Sequence, residues 1–362
     1  MTKIGIIELS RHYEVLRTYA LKMKQEGNTV ILFVTENVYE ALYKILEKQN
    51  FEWHIVDLSL GYKKGILDHY VSLNECDEII CCTQEDIFGQ VITKEWEPKT
   101  TMVLHELHRN FDVFANFNWR GDVMLYLKFL HLILTGYFTK RKRALKKFDF
   151  IGVASEGMKQ YAEKKYKVSN IRVLPFYFNE YKSEIHKREN LCIAVIPGTF
   201  DNTSRDYESI VQLLSKSIPK INKKLQLILL GQYVKNKHNE KIKKALMDMQ
   251  GEKFELVSYN NNIQLQMYDE TILASDFLIL PLKSQWVSNT IIRTADKSYV
   301  SGNVGDVMRY GIPALITSLH PYNESITPYV TEYDISSKGI AIVIDYINEQ
   351  KYNMIKEKQI KE

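Results

Sequence analysis

An α/β architecture of two doubly wound, parallel-sheet domains in tandem, facing a central cleft, is what the sequence predicts, and three observations carry it. Apolar runs of strand length alternate with helix-period segments from residue 3 to residue 316, the pattern of crossover-linked parallel sheets. The alternation breaks at the charged stretch NEYKSEIHKREN, residues 179–190, which has no apolar period. A length of 362 residues exceeds one ordinary core, so two domains of roughly 150 to 180 residues are expected. The expected division is 1–180 and 190–340, with 341–362 a C-terminal helix able to return to the first domain.

In the first half, KIGIIEL (3–9) is a strand, followed by the polar loop SRHYE and a helix patterned by Val15, Leu16, Tyr19, Ala20 and Met23. TVILFVT (29–35), DEIICCT (77–83) and TTMVLHEL (100–107) continue the strand series. Loops at strand C-terminal ends line the ligand crevice of such sheets. That places Arg11 and His12 after the first strand, and His105 and Glu106 at the end of a later one, as residues lining that crevice. A histidine there can hydrogen-bond a hydroxyl or phosphate; a surface loop for His12, or a capping role for His105, is the plainer alternative.

Residues 122–147, DVMLYLKFLHLILTGYFTKRKRALKK, join an apolar segment to a cluster of Lys and Arg. The segment is too short and interrupted to span a bilayer, but an apolar face with a cationic end suits an interfacial helix on anionic lipid. A core helix with a solvated basic turn is the alternative. Strand, turn and helix follow in 148–166, then another strand in 170–178.

The second half restarts with the strand LCIAVIPG (191–198). Gly198 permits close backbone approach, and Arg205 offers a forked cation at a helix start where phosphate could also meet backbone donors. Pairing of Arg205 with a carboxylate is the alternative. LQLILLG (225–231), FELVSY (254–259) and the run ending FLILPL (277–282) are further strands. After a polar connection, 283–300, comes SGNVGDVMRYGIPALI (301–316): a turn, a short helix stopped by Gly311 and Pro313, and a strand. Ser301, Gly302 and Asn303 form a loop suited to a diphosphate, with Asn303 as N-cap and Asp306 on the first turn. Asp306 either accepts from ribose hydroxyls or merely complements the helix dipole.

Composition narrows the classes. Apolar residues at 45% and charged residues at 25% describe a globular chain, and a net charge of +4 gives no global argument for nucleic acid. Cys76, Cys81, Cys82 and Cys192 lack metal-ligand spacing and read as reduced core residues. The N-terminus has no signal-peptide pattern and no 18-residue apolar run is present. A cytoplasmic protein, peripheral on the inner face of the membrane through residues 122–147, is the expectation.

Taken together, SEGMKQYAEKKY with IRVLP, PGTFDNTSRDYESIVQLL, LQLILLG, ASDFLILPL and GDVMRYGIPALI resemble, in order and spacing, the retaining glycosyltransferases of GT-B fold, the family-four-like enzymes also called glycosyltransferase group 1. The resemblance implies two Rossmann-like domains and a nucleotide-sugar co-substrate. In that family an Arg and a Lys after the first strand of the second domain hold the diphosphate; Thr199 stands at the first place and Arg205 approximately at the second. Of the family's two glutamates, Asp306 matches the second, implied to hold the donor ribose, while Ser298 stands where the first would be. His105 matches the histidine pointed into the sugar site and is the catalytic candidate, with Arg11, His12 and Glu106 as acceptor-side candidates; such enzymes need no metal where helix-end amides and cations carry the leaving diphosphate charge, so no metal and no cofactor is expected. The resemblance implies transfer of a sugar to a glycan or lipid-linked acceptor in cell-surface polysaccharide synthesis. A catalytically silent partner protein and a nucleotide-sugar epimerase on the same fold are the alternatives.

Overall fold

The computed structural model describes residues 1–10, 12–83, 96–111, 123–181, 188–288, 291–318, 320–322 and 324–349. The chain divides into two compact units, one of residues 1–178 with 288–300, the other of residues 179–287 with 301–362.

The first unit is built on seven strands: β1 Lys3–Glu8, β2 Thr29–Val34, β3 Glu52–Ile55, β4 Glu78–Cys81, β5 Lys99–Val103, β6 Phe150–Val153 and β7 Ile171–Val173. Their order is β3-β2-β1-β4-β5-β6-β7 and every pairing is parallel. Runs such as IIE in β1 and ILFV in β2 are buried throughout because helices cover both faces, which removes the alternation of a half-exposed strand. The core gathers Ile7, Ile31, Phe33, Ile79, Met102 and Val153 with Met158 and Ala162 of the helix Glu156–Tyr166. Winding reverses between β1 and β4, so the crevice of this sheet opens where Glu8 and Cys81 end their strands.

The second unit carries β8 Leu191–Pro197, β9 Lys224–Gln232, β10 Phe254–Tyr259 and β11 Phe277–Leu280. The short strands β12 Gln285–Ser288 and β13 Ile291–Thr294 lie where the chain leaves it, and β14 Ala314–Thr317 and β15 Val330–Tyr333 follow its return. The sheet order is β10-β9-β8-β11-β14-β15, again parallel, with the reversal between β8 and β11. Its core includes Ile196, Leu214, Leu227, Phe277 and Leu315.

Three features depart from the sequence reading. Residues 288–300, read as part of a connection within the second domain, group with the first unit. They are held there by Arg293 paired with Glu106, by the Leu107 amide donating to the Ser298 carbonyl, and by Asp296, whose carbonyl occupies the space a Cβ on Gly157 would need. The basic apolar segment is two helices, Val123–Leu134 and Tyr137–Leu145, because Gly136 adopts φ +69° between them. The helix Ser337–Glu349 packs Val343, Tyr346 and Ile347 into the second unit's core; the rest of the predicted C-terminal helix lies outside the described residues. Among the described residues no helix is long and apolar enough to cross a membrane.

Candidate functional site

In the second unit the loop after β8 leads directly to the switch point. Gly198 has φ +81°, and a Cβ there would stand 2.4 Å from Nη2 of Arg205 and 3.2 Å from Nδ2 of Asn303. Only glycine combines that backbone with that space. The loop is stiffened from within: the Asn202 carboxamide accepts from the Tyr207 amide at 2.8 Å, and Asp206 caps the helix Tyr207–Ser217 by accepting from Ser209. Arg205 therefore precedes that helix by two residues instead of starting it. Its guanidinium donates to the carbonyls of Thr199 (2.7 Å) and Pro197 (3.3 Å) and to Oδ1 of Asn303 (2.7 Å). Its partners are neutral acceptors, and among the described residues it makes no ion pair, so its charge is not cancelled locally.

Asn303 is not the N-cap of the next helix. That position belongs to Ser301, which makes no side-chain capping bond, and the helix runs Gly302–Tyr310. Gly302 is exposed, and a Cβ on it would meet nothing within 4 Å. The helix start is thus open, with the positive end of the dipole beside an uncancelled guanidinium. Asp306 lies at the fifth helical position, two residues deeper than the sequence reading placed it, and is 6% exposed. One carboxylate oxygen accepts from the Tyr268 hydroxyl at 2.8 Å and from Nδ2 of Asn303 at 3.2 Å; the other lies 3.8 Å from Arg309. Burial raises its pKa above the usual carboxylate value, against the opposing pull of Arg309. Both oxygens face protein groups, so the geometry gives Asp306 the role of orienting Asn303, and through it Arg205.

Two further groups at strand C-terminal ends escaped the sequence reading. Lys283, three residues beyond β11, donates to the Asn202 carbonyl at 2.6 Å. His320, three residues beyond β14, is 3% exposed, and burial holds its pKa down to about 4. A cation and a histidine just past apolar strand runs were the available signal.

In the first unit, His105 follows β5 by two residues. Its Nε2 lies 2.7 Å from the Cys82 carbonyl, which can only accept, so Nε2 carries the proton and Nδ1 keeps its lone pair. The ring stacks on His12 with centroids 3.7 Å apart and leans on Phe176 at 4.6 Å. Burial, then the neighbouring His12, lowers its pKa to about 3, outweighing the Cys82 bond. His105 is a neutral hydrogen-bond acceptor with a partly exposed edge. His12 lies 3.3 Å from Glu14 through Nδ1. Glu106 is turned to Arg293 and so serves as a tether for residues 288–300. Arg11 lies outside the described residues. The sequence reading also missed Glu8, a fully buried carboxylate closing β1 that accepts from the Ser10 amide at 2.8 Å and from the Thr83 hydroxyl. An acid inside an apolar run was its signature.

Fold and site together define a class: an α/β chain of two Rossmann-like units, each with its polar groups at the reversal of a parallel sheet, which is the GT-B fold. No protein-family model matches the chain, and no curated protein matches it. Among solved structures it is similar to HepE from Anabaena in complex with UDP, with a TM-score of 0.58 at 12% identity over 98% of this chain and 93% of that one. It is also similar to an alpha-glucosyltransferase in complex with UDP and a 13-mer DNA, with a TM-score of 0.56 at 11% identity over 99% and 93%. A variant of S. aureus TarM in complex with fondaparinux, alpha-GlcNAc-glycerol and UDP gives a TM-score of 0.56 at 10% identity over 100% and 97%. At these identities the likeness shows the fold, which this chain shares with GT-B glycosyltransferases.

Proposed function

We propose that the chain is a glycosyltransferase that moves a sugar from a nucleotide-sugar donor to a glycan or lipid-linked acceptor in cell-surface polysaccharide synthesis, with no metal or other cofactor. The observation that carries this reading is the convergence of the Arg205 guanidinium and the open start of the helix Gly302–Tyr310 beside Gly198. Breaking the sugar–phosphate bond leaves its electron pair on the departing diphosphate. A fixed cation and oriented amides stabilise charge developing there without reorganising. His105, neutral, would accept a hydrogen bond from a sugar hydroxyl; a base whose conjugate acid has a pKa of about 3 removes protons poorly. The UDP complexes of HepE and the alpha-glucosyltransferase make UDP the first probe. Calorimetric titration should show UDP binding more tightly than uridine, and UDP-sugars should be consumed with an acceptor. Failure of every nucleoside diphosphate to bind would overturn the reading.

A peripheral position on the inner membrane face is supported by the helix Val123–Leu134, which leaves Val123, Met124, Leu127, Leu130 and Leu134 at least half exposed. A second reading, a catalytically silent protein, is favoured by Ser298. It stands where the resemblance expects a glutamate, is fully buried, and spends its hydroxyl on the Thr294 backbone. Nucleotide binding without turnover of any donor would select it.

A further inference from the structure

A cavity of about 850 Å³ opens in the first unit between the helix Tyr137–Leu145, the end of the helix Glu156–Tyr166 and the loop entering β7. Among the described residues four lysines line it, Lys142, Lys146, Lys165 and Lys167, and no acidic residue does. Among the described residues none of the four pairs with a carboxylate. Lys165 is held in place: its ammonium donates to the Tyr161 hydroxyl at 3.0 Å and lies over the rings of Tyr161 and Tyr166. Tyr166 is itself stacked on Phe111. Ser169 and Asn170 of the lining stand just before β7, at the N-terminal edge of the sheet, whereas His105 follows β5 at the C-terminal edge. This is therefore not the crevice of the acceptor-side candidates. Four like charges around one space repel one another unless an anion joins them.

The chain beside the cavity says which anion. The helix Val123–Leu134, joined through Gly136 to the helix that carries Lys142, exposes Val123, Leu127, Leu130 and Leu134. At helical spacing these fall within about 60° of one another, an apolar stripe next to a basic cavity. The geometry points to an anionic membrane lipid as occupant, its phosphate-bearing headgroup among the four lysines while the stripe enters the acyl boundary. This deepens the peripheral-membrane reading above and rests on it.

The test is sedimentation of the full chain with phosphatidylcholine vesicles, and with vesicles in which about a third of the lipid is phosphatidylglycerol. Wild type should bind only the second kind. Lys142→Gln with Lys146→Gln should weaken that binding about tenfold or more, while Lys140→Gln with Arg143→Gln, which removes two exposed cations outside the cavity lining, should weaken it by only about two- to threefold. Equal losses in the two variants would mean diffuse attraction: the membrane reading would stand and the cavity would not be a headgroup site. No binding to either vesicle would overturn both. Free sn-glycerol 3-phosphate, titrated calorimetrically, should bind far more weakly than the vesicles; equal affinity would assign the cavity to a soluble phosphate and remove the lipid. Leu127→Ser with Leu130→Ser should reduce vesicle binding and leave glycerol phosphate binding unchanged, and full vesicle binding by that variant would remove the stripe from the proposal.

Discussion

Arg205 and Asn303, 98 residues apart, share a 2.7 Å hydrogen bond from Nη2 to Oδ1 that fastens the loop after β8 to the second residue of the helix Gly302–Tyr310. The bond fixes where a positive charge stands relative to an open helix end. Arg205→Ala should therefore weaken UDP binding by about 1.5–3 kcal/mol, the range of a charge-assisted hydrogen bond, and leave uridine binding nearly unchanged. Calorimetry with both ligands checks this; equal losses would take Arg205 out of the phosphate site.

Gly198 and Arg205 should be coupled. Gly198→Ala places a methyl 2.4 Å from Nη2 and also forces alanine into φ +81°, a backbone cost of roughly 1–3 kcal/mol. In an Arg205→Ala background the collision with the guanidinium vanishes, leaving the backbone cost and the 3.2 Å approach to Nδ2 of Asn303. Chemical denaturation of the two single variants and the double should show a double loss smaller than the sum; strict additivity would mean that the guanidinium does not occupy that space.

Asp306→Asn should destabilise the protein by about 1–3 kcal/mol, because its amide oxygen can keep the bonds from Tyr268 and Asn303, now without a charge, only by turning its NH2 towards the Arg309 guanidinium in a buried setting. Affinities for UDP and for its 2′-deoxy analogue should fall together, as expected of a residue that acts through Asn303. A loss confined to UDP would restore the direct ribose contact that the family resemblance implies.

His105 titrates in the unfolded chain near the ordinary histidine value but only at about 3 when folded. Between these values the unfolded chain holds the extra proton, so stability is full above roughly pH 6.5 and declines as pH falls towards 3, by at most about 1.4 kcal/mol per pH unit. His105→Gln keeps a donor for the Cys82 carbonyl and removes the titration. Its melting temperature should fall less steeply than that of wild type from pH 6.5 to 4, and identical slopes would refute the assignment. Sugar transfer should drop in the same variant while UDP affinity holds.

The parallel sheets were legible because strands buried on both faces leave continuous apolar runs, as in TVILFVT and FLIL, and because turn residues punctuate them. Glu106 shows where legibility stopped: its partner, Arg293, is 187 residues away, and no local pattern reports a pairing of that kind. Asn303 was misassigned because Ser301 and Asn303 are both good caps, and the choice between them is made by Arg205 and Asp306, which draw the Asn303 side chain inward. Pairing Lys142 and Lys146 with Lys165 and Lys167 around one cavity likewise needed the fold, since a run of lysines reads the same on a solvated helix.

The helix Gly302–Tyr310 touches both places where the chain passes between units. It begins directly after the return at Val300, and near its other end the Arg309 carbonyl accepts from the Glu180 and Tyr181 amides, just past the first passage at Phe178. The Arg309 side chain repeats the attachment at 3.1 Å from Glu180. A ligand that steadies the start of this helix would therefore steady its moorings as well. Occupancy at the diphosphate end would be recorded far from it, as slower deuterium uptake at the amides of Glu180 and Tyr181, and a chain nicked between residues 179 and 190 would lose nucleotide affinity with no ligand-facing residue altered.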